Sequence, residues 1–125
     1  MSKIVRLVEY RRGAPHVHFS RSEMNALLSL YSRRVMRGEW RDYAIDQHDG
    51  TARFAVFRSS FERPAFIITK QLKGAPRTAS LIPPDVQFTV MAGRETLSQS
   101  TSLIEALAVF DRPGLAASLR MGGTS

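Results

Sequence analysis

At residues 42–58 the chain reads DYAIDQHDGTARFAVFR. Apolar and polar residues alternate over Asp42–Gln47, which predicts a strand with Tyr43 and Ile45 on one face. Asp49-Gly50 follows and predicts a type I′ hairpin turn, because both central residues of that turn need positive φ. Ala52–Arg58 is apolar at odd and even positions, a pattern typical of a strand inside a sheet. The stretch therefore predicts an antiparallel hairpin whose second strand is central.

A helix is predicted ahead of the hairpin, over residues 21–37. Ser20 and Glu23 have the spacing of a capping box, in which the hydroxyl accepts from the amide of the third helical residue and the carboxylate accepts from the cap amide. Gly38 is placed to end the helix, because glycine readily adopts the left-handed conformation found there. Apolar residues recur at helical spacing and form one stripe, made of Met24, Leu27, Leu28, Tyr31 and Val35. Phe19, just before the cap, can pack against Met24 as a hydrophobic staple.

Three further strands are predicted after the hairpin. Residues 65–70 indicate a third strand, and alternation over residues 86–90 indicates a fourth. The Pro-containing stretch 73–84 is interpreted as a long connection between them. A turn after the fourth strand then leads into a short fifth strand at residues 94–97.

The closing element is a second helix, predicted over residues 101–110. Ser102 and Glu105 have capping-box spacing, although Ser98 or Ser100 could cap the helix instead. Together the elements predict an α+β fold, with an antiparallel sheet of about four to five strands in a meander and two helices packed on it. The short turns favour antiparallel order, and the simplest packing puts both helices on one face.

The chain is predicted to form a single domain over residues 1–125, a length that suits one hydrophobic core. Residues 3–10 have the composition of a strand. Residues 1–18 as a whole are interpreted as an N-terminal strand or arm, whose pairing the sequence leaves open. Residues 113–125 are expected to be a flexible tail, since they are Gly-rich at their close.

Composition excludes several classes of protein. The chain has 43% hydrophobic residues, enough for a core, and no Cys, so disulfides, thiolate zinc sites and cysteine nucleophiles are excluded. Its apolar runs are far shorter than the ~20 residues of a membrane-spanning helix. Charged residues also interrupt the N-terminus, where a secretory signal would have its apolar segment. We therefore expect a cytoplasmic protein without membrane contact.

Part of the sequence resembles a known family. The resemblance rests on SEMNALLSLYS at 22–32, GEWRDYAID at 38–46, FAVFR at 54–58 and ERP at 62–64, of which the second is the most specific. These segments are similar to an uncharacterised family of small alphaproteobacterial proteins, domain of unknown function 2794. The resemblance covers the central half of the chain and weakens from Leu72 onward. It implies a bacterial, cytoplasmic, single-domain protein and supplies neither an activity nor catalytic residues.

No motif for catalysis or cofactor binding is present. The serines lack a Gly-x-Ser-x-Gly setting, and there is no glycine-rich phosphate loop. His16 and His18 would face the same way on an extended segment, but a metal site needs a third or fourth ligand, and none is near in sequence. Asp42 and Asp46 share a strand face, where carboxylates usually aid solubility or pair with Arg. We predict no enzymatic activity, no cofactor and no metal.

The strongest functional indication is the basic charge. The formal net charge is +7, and most of the basic residues are Arg, whose guanidinium groups bind phosphate through paired hydrogen bonds. Arg33, Arg34 and Arg37 are predicted to lie off the apolar stripe of the first helix, where they could form a surface for phosphates. The alternatives are a solvated helix face that complements the helix dipole, or Arg usage that serves only solubility. The candidate nucleic-acid-binding residues are Arg33, Arg34, Arg37, Arg41, Arg53, Arg58, Arg63 and Lys70.

Trp40, the sole Trp, has two interpretations. It could offer an aromatic platform for an unpaired base or anchor an interface, or it could pack over the sheet as core, which we favour. The leading hypothesis is a small basic binding module that contacts nucleic acid, or a nucleic-acid-bearing complex, through Arg residues. The alternative is a protein–protein adaptor or regulator that acts through a sheet face or edge, as a homodimer in one version.

Overall fold

The computed structural model describes residues 17–59, 63–73 and 85–112. Two helices, five strands and a short 3₁₀ helix are found in this part of the chain. In chain order they are α1 (Arg21–Met36), β1 (Asp42–His48), β2 (Thr51–Phe57), β3 (Phe66–Lys73), β4 (Asp85–Ala92), β5 (Glu95–Ser100), α2 (Leu103–Leu107) and the 3₁₀ helix (Ala108–Asp111).

Three predictions fall outside the described residues. They concern the N-terminal strand at residues 3–10, the connection beyond Lys73 and the tail at residues 113–125. The remaining elements confirm the predicted α+β fold.

The five strands form one antiparallel sheet in which the strand order equals the chain order. This meander confirms the predicted topology, since each strand pairs with the strand that follows it. β5 is longer than the predicted strand at 94–97, because it continues to Ser100. The pairing of β4 with β5 shifts register at Val90/Met91, and Ser98 and Ser100 beyond the shift carry no apolar signal, so sequence alternation could not show the extension.

The turn between β1 and β2 has the predicted conformation. Asp49 has φ 50° and Gly50 has φ 74°, so both central residues lie in the left-handed region that a type I′ turn requires. In the hairpin, Asp42 pairs with Phe57 and His48 with Thr51. The turn therefore fixes which residues of the two strands lie side by side.

α1 begins at a complete capping box. The amide of Glu23 donates to Ser20 Oγ over 3.1 Å, and the amide of Ser20 donates to Glu23 Oε1 over 2.7 Å. Two of the amides that have no partner inside a helix are thereby satisfied. The sequence prediction of this helix start is confirmed.

α1 ends in the left-handed conformation that Gly38 supplies, with φ 76°. The Gly38 amide donates to the Val35 carbonyl and the Glu39 amide donates to the Arg34 carbonyl, each over 2.9 Å. This pair of hydrogen bonds is a Schellman motif, which satisfies carbonyls at the end of a helix. The chain then turns directly toward Trp40 and β1.

The hydrophobic core lies between one face of the sheet and both helices. Its sheet side comes from alternate residues of the three inner strands, as the period of two in a strand requires. α1 covers one part of this face, and α2 with the 3₁₀ helix covers another. The buried residues that form this core cluster are Leu27, Leu30, Trp40, Phe54, Val56, Phe66, Ile68, Phe88, Val90, Leu103, Ala106, Leu107, Val109 and Phe110.

The buried stripe of α1 differs from the predicted one. Val35 was predicted to face the core but is 39% exposed, whereas Leu30 and Arg34 are buried with Leu27. Residues 27, 30 and 34 share one side of a helix, so the buried side includes a charged residue that apolar periodicity cannot detect. The prediction that Arg34 leaves the stripe was therefore wrong, and its partners are described below.

The second predicted helix is an α-helical turn followed by a 3₁₀ turn. Ser102 caps α2, accepting from the Glu105 amide over 3.3 Å. The Glu105 carboxylate accepts from the Ser100 hydroxyl over 2.8 Å, and that hydroxyl also accepts from the Ser102 amide over 3.0 Å. The predicted Ser102–Glu105 box is thus replaced by a shared cap in which Ser100 takes part.

Candidate functional site

The meander brings one end of each of the five strands to the same end of the sheet. Where β1 begins, the Arg41 amide donates to the Phe57 carbonyl at the end of β2 over 2.7 Å. Ala65, just before β3, donates to Val56 over 2.7 Å. Ile67 of β3 pairs with Met91, so the turn from β4 to β5 also lies here. This end of the sheet therefore carries Arg41, Arg58, Arg63 and Arg94.

The end of α1 and the 3₁₀ helix reach the same place. Trp40, just after α1, contacts Phe66 at the start of β3, with 5.9 Å between ring centroids. It also contacts Phe110 of the 3₁₀ helix, with 5.4 Å between centroids. Arg37 caps α1, Arg33 lies one turn earlier, and Arg112 follows the 3₁₀ helix. We call this cationic group the arginine end and define it as Arg33, Arg37, Arg41, Arg58, Arg63, Arg94 and Arg112.

All members of the arginine end are exposed. Arg33 donates to the Ser29 hydroxyl over 3.2 Å, and within the described ranges no carboxylate lies within ion-pair distance of any member. The carboxylates found at this end are Asp42, Glu95 and Asp111, which are exposed, and Glu39, which is paired elsewhere. Positive charge is therefore in excess at this end of the molecule.

Arg34 is a structural residue. It is 8% exposed, and its guanidinium donates to Glu39 Oε1 over 3.0 Å and to the Phe110 carbonyl. These bonds join the end of α1 to the 3₁₀ helix across the core. Arg34 therefore has no free donor face for a partner, unlike its neighbour Arg33.

Arg53 lies away from the arginine end, in the middle of β2. It forms a bidentate ion pair with Asp46 on β1, with both N–O distances 2.9 Å. The hydrogen bond from Arg53 lowers the pKa of Asp46, against a small opposing effect of desolvation. The same bond raises the pKa of Arg53. The sequence expectation that strand carboxylates here pair with Arg is confirmed for Asp46.

Lys70 lies near the opposite end of the sheet, beside the start of α1. Its ammonium group donates to Glu23 Oε1 over 2.8 Å and to the His18 carbonyl over 2.6 Å. Burial alone would raise the pKa of Glu23, but the hydrogen bonds from Lys70 and Ser20 outweigh it, so the pKa is lowered. Lys70 is thus neutralised and distant from the arginine end.

Trp40 is buried, with 5% of its surface exposed. Its ring contacts Tyr31, Phe66 and Phe110, with centroid distances of 6.2, 5.9 and 5.4 Å. These neighbours enclose the indole inside the core. The structure thus agrees with the core interpretation of Trp40, and no face of this ring is presented to a base.

Neither a metal cluster nor a membrane helix is found where the chain is described. No group of three or more His, Asp or Glu residues is placed to hold a metal ion in these ranges. His18 contacts the side-chain amide of Gln47, and its predicted companion His16 lies outside the described residues. None of the described helices is both long and apolar enough to cross a membrane.

Two members of the arginine end were missed by sequence reasoning. Arg94 sits in the turn between β4 and β5, and Arg112 follows the 3₁₀ helix. The strand order could have placed Arg94. In a meander, successive turns lie at alternate ends of the sheet, so the turn between β4 and β5 lies at the same end as the connection between β2 and β3. Arg112 required knowledge of where the last helix packs, which no local pattern reveals.

Comparison with known proteins gives a family and no activity. The family described as "Protein of unknown function (DUF2794)" matches residues 17–99. The chain therefore belongs to this family, as the sequence resemblance indicated. No curated protein matches the chain, and no solved structure matches it.

Proposed function

We propose that this member of the DUF2794 family is a small basic binding module that contacts nucleic acid, or a nucleic-acid-bearing complex, through the arginine end. The observation that carries the proposal is that exposed arginines from separate elements share one end of the sheet and that, among the described residues, none of them has a carboxylate within ion-pair distance. The cysteine-free composition and the family resemblance support a bacterial, cytoplasmic setting as part of the same proposal.

Arginine suits this role for a physical reason. Its guanidinium stays charged at physiological pH and presents a planar fork of donors that matches phosphate oxygens. The Arg41 amide donates to the carbonyl of Phe57, the residue before Arg58, so the two arginines are close enough for one phosphate to receive donors from both. Each phosphate neutralised in this way releases condensed counterions, which favours binding at low salt.

The decisive experiment measures affinity at two salt concentrations. Fluorescence anisotropy of a labelled 20-base-pair DNA duplex is followed while the protein is titrated in about 50 and about 200 mM salt. If four arginines contact phosphates, affinity should fall about a hundredfold between these conditions. Absence of binding even at low salt would remove the proposal.

Variants test which residues are responsible. Replacing Arg41, Arg58 and Arg63 together by Ala should weaken low-salt binding and reduce the remaining salt effect to about fourfold, because about three phosphate contacts are lost. Arg53→Ala is the matched control, since Arg53 is already neutralised by Asp46 and should leave the salt slope unchanged. If the salt dependence of binding were unchanged in the triple variant, those three arginines would not contact phosphates.

A second candidate function is a protein–protein adaptor that acts through β1. Every residue of β1 is exposed, including Ile45 at 45% and Tyr43 at 38%, and within the described sheet β1 pairs only with β2. Exposed strand edges can pair with a strand of another chain. Sedimentation velocity tests the homodimer version: a dimer that Ile45→Lys converts to monomer would support it, whereas a monomer at all concentrations would exclude it.

A further inference from the structure

We infer that the arginine end, if it binds nucleic acid as proposed above, holds the sugar–phosphate backbones of a double-stranded partner on both sides of a groove, without stacking on bases and without sequence preference. The inference rests on the proposed function and deepens it. Its three supports are the enclosed aromatic rings, the surroundings of the rings that are less enclosed, and the spacing of the arginines.

Proteins that bind single strands combine a cationic groove with aromatic rings on which bases stack. Near the arginine end three aromatic rings pack against one another. Phe66 and Phe110 meet edge to face, with 4.9 Å between ring centroids, and both contact Trp40. All three residues are buried. The described part of this end therefore offers guanidinium groups without an adjacent free aromatic face.

Three rings near this end, those of Tyr31, Tyr43 and Phe57, are less enclosed but poorly suited to stacking. Tyr43 stacks on Phe54, with 5.1 Å between centroids and 10° between planes, and meets Tyr31 edge to face at 4.8 Å. Phe57 is half-buried on the other sheet face, directly opposite Asp42. Paired residues of an antiparallel sheet share a face, so a base stacked on Phe57 would bring its phosphate close to this carboxylate.

The spacing of the arginines fits a duplex. Neighbouring strands lie about 4.8 Å apart, so the ends of β1, β2 and β3 and the turn between β4 and β5 span about 14–17 Å. The major groove of B-DNA is about 12 Å wide and the minor groove about 6 Å. Arg41 at one side and Arg94 at the other can therefore reach phosphates of both backbones. Phosphate contacts set orientation and carry no sequence information.

Competition experiments test the inference. A labelled 20-base-pair duplex bound at low salt is displaced with unlabelled duplex, with a duplex of scrambled sequence, and with each single strand of the same length. We expect both duplexes to compete equally within about twofold and the single strands to compete about tenfold less well, since stacking energy is missing. Equal or better competition by a single strand, or a strong difference between the duplex sequences, would overturn the inference while leaving the proposed function intact.

Trp40 provides an independent readout. Because its indole is enclosed by core rings, its fluorescence should not change when duplex binds. Quenching by nucleic acid would mean that a base reaches the ring and would contradict the inference. Failure of every nucleic acid to bind would instead remove the proposed function, and the inference with it.

Arg94 gives a residue-level test. Arg94→Ala should lower duplex affinity severalfold and leave single-strand affinity within about twofold, because the inference assigns Arg94 to the second backbone, which a single strand lacks. Phe57→Leu is the complementary variant and should leave affinity for both forms unchanged. A selective loss of single-strand binding in Phe57→Leu would point to stacking and against the inference.

Discussion

Arg33 and Arg34 are adjacent in the chain and have opposite environments. Arg33 is exposed at the arginine end, whereas Arg34 is buried and joins α1 to Glu39 and to the Phe110 carbonyl. Sequence reasoning grouped them because both are basic and close to the end of a helix. The rotation of about 100° per helical residue separates them, and the direction of the core decides which one is buried.

This difference predicts opposite mutational effects. Arg34→Ala should lower the free energy of unfolding by about 2–3 kcal/mol, because it leaves the Glu39 carboxylate and a buried carbonyl without their donor. Arg33→Ala removes the same charge and should change stability by less than about 0.5 kcal/mol. Urea denaturation followed by circular dichroism measures both. Equal stability losses in the two variants would show that the Arg34 bonds do not stabilise the fold.

Glu23 predicts a pH-dependent stability. The hydrogen bonds from Lys70 and Ser20 hold its pKa below the usual value of 4.5, so its ionised form stabilises the fold above about pH 4.5, and the stabilisation is lost as pH falls through the lowered pKa. Glu23→Gln should therefore cost about 1–2 kcal/mol at pH 7, and the difference from the native chain should shrink at pH 3.

The control for Glu23 is Glu95→Gln. Glu95 is exposed and forms no ion pair with the residues that the structure describes, so its replacement should change stability by less than about 0.5 kcal/mol at pH 7. Urea midpoints at several pH values compare the variants. A Glu23→Gln deficit that stays constant down to pH 3 would argue against the ion pair as its source.

Among the helices and strands, the bounds were predicted most accurately for elements that begin or end at a residue with a specific local role. α1 has a capping box before it and Gly38 after it, and the β1–β2 hairpin has Asp49-Gly50. β5 lacked such a signal, because its second half is polar and its pairing with β4 shifts register. Its length depends on partners in β4 that only the assembled sheet provides.

Gly38 should be needed for the left-handed end of α1. A Cβ added there would meet no atom within 4 Å, so the cost of Gly38→Ala comes from backbone strain alone and should be about 1–2 kcal/mol. Gly38→Asn should cost less, since Asn tolerates this conformation better than Ala. Thermal and urea unfolding compare the two variants. If Ala were tolerated as well as Asn, the end of α1 would have to relax to another conformation.

At the scale of the whole molecule, the positions of the arginines could not be read from the sequence. The predicted set of binding residues mixed exposed arginines with Arg34, Arg53 and Lys70, each of which has a carboxylate partner. Glu39, Asp46 and Glu23 lie five, seven and 47 positions away from these partners. Such pairs follow from strand register and helix packing, which sequence patterns constrain only loosely.

The packing of Trp40 in the core predicts that the described helices and strands unfold together. Trp40 contacts α1, β3 and the 3₁₀ helix through Tyr31, Phe66 and Phe110, so its fluorescence reports on all three. The urea transition seen by tryptophan fluorescence should coincide with that seen by far-ultraviolet circular dichroism. Trp40→Phe, which retains an aromatic ring, should lower the midpoint of the dichroism transition without dividing it into two. Separate midpoints in the native chain would mean that the helices leave the sheet before the strands unfold.

The strand order of the sheet also bears on how the chain is made. Because β2 to β5 each pair with the strand synthesised just before, each can pair soon after it leaves the ribosome, and only the connection between β3 and β4 is longer than about eight residues. Of the described elements α1 emerges first, and its apolar side stays uncovered until the strands have formed. Completion of this core therefore depends on the last of the described elements to emerge, the 3₁₀ helix whose Phe110 carbonyl accepts a hydrogen bond from Arg34.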